Sequence, residues 1–224
     1  MAMRRGPARF FLLLFALLLG GTARPAAAGD WYLVPQIDAG AKYDSNINFS
    51  FGRIKSDFIF NASPALDLKY DSETTNLSGR LNLDGLAYVK NPNLDIINQY
   101  YRLAAKHQAA PRLALTISGG YTLDTTLREE LQASGYIMNR TRRQAMQAAP
   151  GLEFALSERA LLRWGYGFDR VTYQDPRYND YSTHRVTLGL NYLLKNAKTT
   201  LTATVLGRYT EYPSIGNFYR NIGV

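Results

Sequence analysis

Few side chains in this sequence offer chemistry. There are two histidines and no cysteine. His184 follows Ser182 and Asp180 closely, and a nucleophile, a base and an orienting acid make sense together if space unites them. Sequence spacing does not establish that geometry, and the plainer reading is a set of polar residues at a loop edge. His107 sits near a turn on the apolar side of its segment. Without cysteine, paired histidines or an acidic loop of calcium-binding spacing, no metal site is expected. Ser118-Gly119-Gly120 is strand glycine rather than a phosphate cradle, because no helix follows it. The expectation is a protein that is not an enzyme and needs no cofactor.

The basic residues are more informative. Arg80, Arg102, Lys106, Arg163, Arg185 and Arg208 fall on the polar parity of different alternating segments. If those segments enclosed water, such a set would favour anionic solutes, acidic sugars among them. The same parity carries Asp67, Asp84, Glu153 and Asp169. The blander expectation is that the two signs pair and fill the interior. Tyr88 and Tyr100 share that parity and are candidates for stacking on sugar rings.

The elements that position these residues are strands. With a period of two, the chain resolves into about nine segments with one apolar and one polar face. From Ser78 to Lys90, Gly79, Leu81, Leu83, Gly85, Ala87 and Val89 alternate with Arg80, Asn82 and Asp84. From Asp57 to Tyr70, Phe58, Phe60, Ala62, Leu66 and Leu68 oppose Asn61, Ser63, Asp67 and Lys69. Leu113 to Leu123, Leu152 to Leu156, Leu162 to Phe168, Val186 to Leu194 and Leu201 to Tyr209 continue the pattern. Ile37 to Tyr43 and Tyr101 to Ala105 are its weaker members.

Two soluble architectures, a sandwich and a lipocalin-like barrel, would also alternate. Three features favour a membrane-spanning barrel. The segments run about 10 to 15 residues, long for globular sheets and suited to strands tilted across a bilayer. Aromatics gather at segment ends, as at Tyr43, Tyr70, Tyr121 and Tyr192, where a barrel places its girdles. Connections also alternate in length. Short turns are expected near Asp71–Thr75, Ala109–Arg112, Ser157–Arg159 and Asn196–Thr199. Longer loops are expected near Asp44–Ser56, Asn91–Ile97, Thr125–Thr141 and Thr172–Ser182. Tight periplasmic turns and long external loops are the habit of outer-membrane barrels. The expected fold is all-β, an antiparallel transmembrane up-and-down β-barrel with about 9–10 strands visible.

The start of the chain is an export signal. Arg4, Arg5 and Arg9 precede the apolar run Phe10–Leu19, and Ala26-Ala27-Ala28 offers a cleavage site. Residues 1–28 are therefore expected to be a cleaved signal peptide, and 29–224 the barrel domain. The leader holds four arginines and no acid, so the formal charge of +8 falls to +4 without it. That argues against a nucleic-acid partner. No later stretch approaches the roughly 18 apolar residues of a transmembrane helix. About nine strands have passed by Tyr212, with Phe218–Val224 opening a tenth. The absence of a terminal aromatic leads us to expect a barrel domain incomplete at its C-terminus.

Tyr43-Asp44-Ser45-Asn46-Ile47 at a first strand end, Ser56-Asp57-Phe58 opening the second, the Ser63-Pro64-Ala65-Leu66 step within it and Tyr70 at its end together resemble the beta-barrel porin 2 type of outer-membrane protein. The resemblance covers roughly residues 30–125, with the remainder alike in pattern only. It implies an outer-membrane pore or a partner in exopolysaccharide export, working with outer-membrane lipid, the barrel assembly machinery and polysaccharide. It carries over no catalytic residues. A non-conducting structural barrel and an outer-membrane hydrolase are the alternatives.

Overall fold

The computed structural model describes residues 29–47, 54–126, 141–194 and 199–213, and the backbone of 217–223. The expected signal peptide, residues 1–28, lies outside the described residues. So do most of the 125–141 loop and of the 196–199 turn.

Ten strands follow one another in chain order and form one antiparallel sheet, each paired with its sequence neighbours. They are β1 (Asp30–Asp44), β2 (Asp57–Asp71), β3 (Thr75–Tyr88), β4 (Ile96–Ala110), β5 (Leu113–Thr125), β6 (Arg142–Ser157), β7 (Ala160–Tyr173), β8 (Tyr181–Leu193), β9 (Thr200–Tyr212) and β10 (Asn217–Gly223). β1 to β9 each run 13 to 16 residues. About 9–11 tilted residues suffice to cross the hydrocarbon of a bilayer. Among the described residues, the one helical element is a short 3₁₀ turn, Pro92–Leu94.

Turn chemistry explains the tight end of the sheet. Ser72 closes the β2–β3 turn on itself: its N–H donates to the Thr75 carbonyl at 2.8 Å. Its hydroxyl oxygen accepts from the Thr75 N–H at 3.0 Å. Pro111 and Arg112 join β4 to β5, and Glu158 and Arg159 join β6 to β7. Each of these two tight turns is accompanied by a register shift, at Gln108/Ala110 and at Ala155/Ser157. A bulge there adds local twist and lets a very short connection close a strongly twisted pair.

Register fixes which side chains share a face, since residues directly opposite across an antiparallel pair point the same way. Asp67 opposes Arg80, and Arg80 opposes Arg102. Arg102 opposes Gly120, Gly120 opposes Gln147, Gln147 opposes Asp169, and Asp169 opposes Thr183. The alternate parity carries Phe58, Phe60, Leu81, Leu83, Leu115, Phe154, Trp164, Val186, Leu188, Leu190, Leu201 and Val205, all exposed.

The enclosed side is the polar one. Of the buried strand residues among those described, Asp57, Ile59, Asp84, Tyr88, Asn98, Ala114, Gly120, Asp124, Arg143, Val171 and Thr183 lie on the polar parity, and Ser182 alone lies on the other. The sheet is therefore inside-out relative to a water-soluble sandwich, whose strands bury their apolar faces. Soluble monomers rarely expose a contiguous apolar patch beyond a few hundred Å². A face that spans the nine strands β1 to β9 is of another order.

Candidate functional site on the polar face

All six basic candidates lie on the polar face, and four of them are paired. Arg80 Nη1 donates to Asp67 at 3.0 Å. Glu153 accepts from Lys106 Nζ at 2.7 Å and stands 3.3 Å from Arg163 Nε. Arg185 Nη2 is 3.6 Å from Asp169. Charge pairing thus accounts for Arg80, Lys106, Arg163 and Arg185. These pairs are largely exposed, so each contributes little to stability on its own.

Asp84 departs from the expected pairing. It takes no arginine, and accepts instead from Ser63 Oγ at 2.9 Å and from Asn98 Nδ2 at 3.4 Å. The reason is register: Asp84 faces Asn98 across β3 and β4, two rungs from the nearest arginine.

Arg102 and Arg208 form no ion pair among the described residues. Each stands directly opposite another arginine, Arg102 against Arg80 and Arg208 against Arg185. Like charges placed directly opposite destabilise a sheet. In both rungs one arginine has a carboxylate and its neighbour has none.

A recess of about 400 Å³ lies on this face, lined by Arg102, Gln147, Asp169, Thr183, Arg185 and Arg208 among others. Its floor is kept open by a missing side chain. A Cβ on Gly120 would come within 2.6 Å of Gln147 Nε2. The Arg185 Nε is buried and has no hydrogen-bond partner. Sequence reasoning missed this recess, because its members come from six strands and only register brings them together. Gly120, a glycine on the polar parity, was the available signal.

Toward the long loops the face is tighter. Arg143 donates to Asp124 twice, Nε at 2.9 Å and Nη2 at 2.8 Å, with both side chains nine-tenths buried. Sequence reading passed over this pair, which joins β5 to β6 where the long loop leaves. At the same end of neighbouring strands, Tyr88 packs with Ile47 and Ile59, flanked by Leu86 and Leu94. Tyr88 is only 7% exposed and is thereby removed from the role of a sugar-stacking platform. Tyr100 stays half-buried on the polar face.

The Ser182, His184 and Asp180 window does not assemble. His184 Nδ1 is hydrogen-bonded to the Tyr166 hydroxyl at 2.7 Å. Asp180 accepts the Tyr173 backbone N–H at 2.8 Å. His184 also lies among Phe168, Tyr166 and Tyr209 on the apolar parity, an aromatic cluster rather than a catalytic one. His107 meets Thr75 Oγ1 at 2.8 Å. Among the described residues no group of three or more His, Cys, Asp or Glu is placed to hold a metal ion.

The apolar face bears aromatic contacts toward both rims. Trp31 packs on Tyr70 at 4.7 Å near the tight turns, and Tyr43 on Phe58 at 5.0 Å near the long loops. Amphipathic rings at two heights are what a membrane-spanning barrel presents to the two lipid interfaces.

No family model matches the sequence, and no curated protein matches it. The fold is similar to that of the outer membrane channel DcaP of Acinetobacter baumannii, with a TM-score of 0.56 and 10% identity. The fold is that of a transmembrane up-and-down β-barrel. The alignment covers 87% of this chain and 59% of that channel's chain, so this chain spans less than two thirds of it. At 10% identity the likeness is one of fold.

Proposed function

We propose that this chain forms the wall of a pore in the bacterial outer membrane, passing polar solutes and serving in the export of a surface polysaccharide. The observation that carries the reading is the inverted sheet: Leu188 is 46% exposed on one face, while Arg143 and Asp124 are buried on the other. In hydrocarbon every backbone N–H and C=O needs an internal partner, and an antiparallel barrel supplies them while presenting apolar side chains to lipid. The polar face then borders water. The similarity to an outer membrane channel supports this reading. The polysaccharide role draws its support from a polar wall of mixed charge, suited to hydroxyl-rich solutes, and from the resemblance noted in the sequence. Such a conduit works by selective permeation, without catalysis or cofactor.

Conductance tests it. The purified, folded protein in planar bilayers is expected to open discrete ion-conducting steps. A folded protein that inserts and stays silent would leave a structural barrel as the better description. Permeation of sugar oligomers in liposome swelling addresses the finer role, and exclusion of every sugar would reject it.

A further inference from the structure

We infer that the recess around Arg102 and Arg208 is a binding subsite for the oxyanionic group of a sugar-sized solute. The inference rests on the reading of the polar face as the wall of a conduit. Three guanidiniums, those of Arg102, Arg185 and Arg208, face the same 400 Å³ space, and one carboxylate, Asp169, answers them. That carboxylate is engaged by Arg185 at 3.6 Å. Two positive charges are left over within a space large enough for a monosaccharide.

The register makes this excess costly to keep. Arg102 faces Arg80 and Arg208 faces Arg185 at the distance of directly opposed side chains. A glutamine at either position would remove a like-charge pair with no ion pair lost among the described residues. What the arrangement gains is a set of forked donors that face one space from strands on either side of it. Guanidinium donors match carboxylate, sulfate or phosphate oxygens in pairs.

Two further observations point to a ligand there. Arg185 Nε is a buried donor without an acceptor. The floor is built of glycine: Gln147 lies across Gly120 so closely that a Cβ there would meet its Nε2 at 2.6 Å. Its side chain lines the recess, as does that of Thr183, whose hydroxyl is 3.0 Å from that of Thr210. These neutral groups suit the hydroxyls of a sugar, and the arginines suit its acidic substituent.

Equilibrium dialysis of the folded, detergent-solubilised protein tests the subsite, with glucuronate, glucose and inorganic phosphate as probes. Glucuronate is expected to be retained and glucose is not. The R102Q/R208Q variant, checked for folding by its heat-modifiable gel shift, is expected to retain glucuronate at least about tenfold less tightly. Phosphate bound alongside glucuronate supports the shared oxyanion chemistry. Phosphate bound without glucuronate would overturn the organic solute. Equal retention of glucose and glucuronate, or an unchanged double variant, would overturn the subsite. Dialysis needs no conductance, so a protein that binds glucuronate but never conducts sinks the pore and spares the site. A conducting protein that binds nothing does the reverse.

Discussion

Asp124→Ala should be the most destabilising single polar substitution in this sheet. Arg143 makes two hydrogen bonds to Asp124, at 2.9 and 2.8 Å, and the two side chains are 9% and 11% exposed. Truncating the carboxylate leaves a guanidinium with little access to water, and losing one partner of a buried ion pair costs about 3–5 kcal/mol. Arg143→Ala should cost a similar amount, because it strands the carboxylate instead. The double variant removes both charges and strands neither. Its cost should therefore fall short of the sum of the single costs by at least about 1.5 kcal/mol. Asp124→Asn keeps an acceptor while deleting the charge, and should lie between wild type and Asp124→Ala. The assay is reversible urea unfolding of protein folded in phospholipid vesicles, followed by the emission of Trp31 and Trp164. Those residues sit on the apolar face, so their environment changes when the sheet leaves the membrane. A single-variant cost below about 1 kcal/mol, or strict additivity, would refute the claim that this pair is buried and coupled.

Three further outcomes follow from the same sheet. Leu188→Arg places a charge on the apolar face of β8 and should cost about 2–4 kcal/mol in vesicle-unfolding experiments, whereas Thr187→Arg on the opposite face should cost under about 1. Glu153→Gln frees Lys106 and Arg163 from their shared acid, so the reversal potential under a salt gradient should move toward anion selectivity; a shift toward cations contradicts the assignment of that face to the lumen. Asp57→Ala removes the acceptor for the Lys90 N–H at 2.9 Å and for Asn91 Nδ2 at 2.7 Å, so trypsin should cleave after Lys90 faster than in wild type, an effect Phe58→Ala should not reproduce.

Strand existence and facing were legible because a period of two survives any rearrangement of the chain. The stretch from Val186 to Tyr192 alternates without interruption and lies wholly within β8, which starts earlier, at Tyr181. Boundaries were less visible where the pattern stutters. β1 starts at Asp30, well before Ile37, because Trp31, Leu33 and Pro35 continue the apolar parity while Tyr32 and Val34 blur the other. β4 reaches from Ile96 to Ala110, although Tyr100-Tyr101 and Ala104-Ala105 place like residues on opposite faces and hide the alternation. The tenth strand, expected from Phe218 onward, pairs with β9 from Asn217.

The candidate site was legible as a set and illegible as an arrangement. Parity put the six basic residues on one face, but pairing depends on register, which no local pattern supplies. Glu153 joining Lys106 to Arg163 spans three strands, and nothing near Glu153 in sequence announces it. The same blindness hid the Arg143–Asp124 pair and the removal of Tyr88 into a small apolar cluster. Asp84 satisfied by Ser63 and Asn98 shows that a charge on the right face finds a charged partner only if the rung provides one.

The central claim is that one face of this sheet meets lipid and the other meets water. The chain has no cysteine, so single cysteines can be placed without background. The direct measurement is the reaction of a water-soluble, membrane-impermeant maleimide with cysteines at 186, 187, 188, 189, 190 and 191 in turn, in protein folded into vesicles. Labelling should alternate, with 187, 189 and 191 reactive and 186, 188 and 190 protected, and the pattern should vanish on denaturation. Reaction at all six positions, or protection of the odd ones, would show that the apolar face does not lie against lipid and would contradict the account.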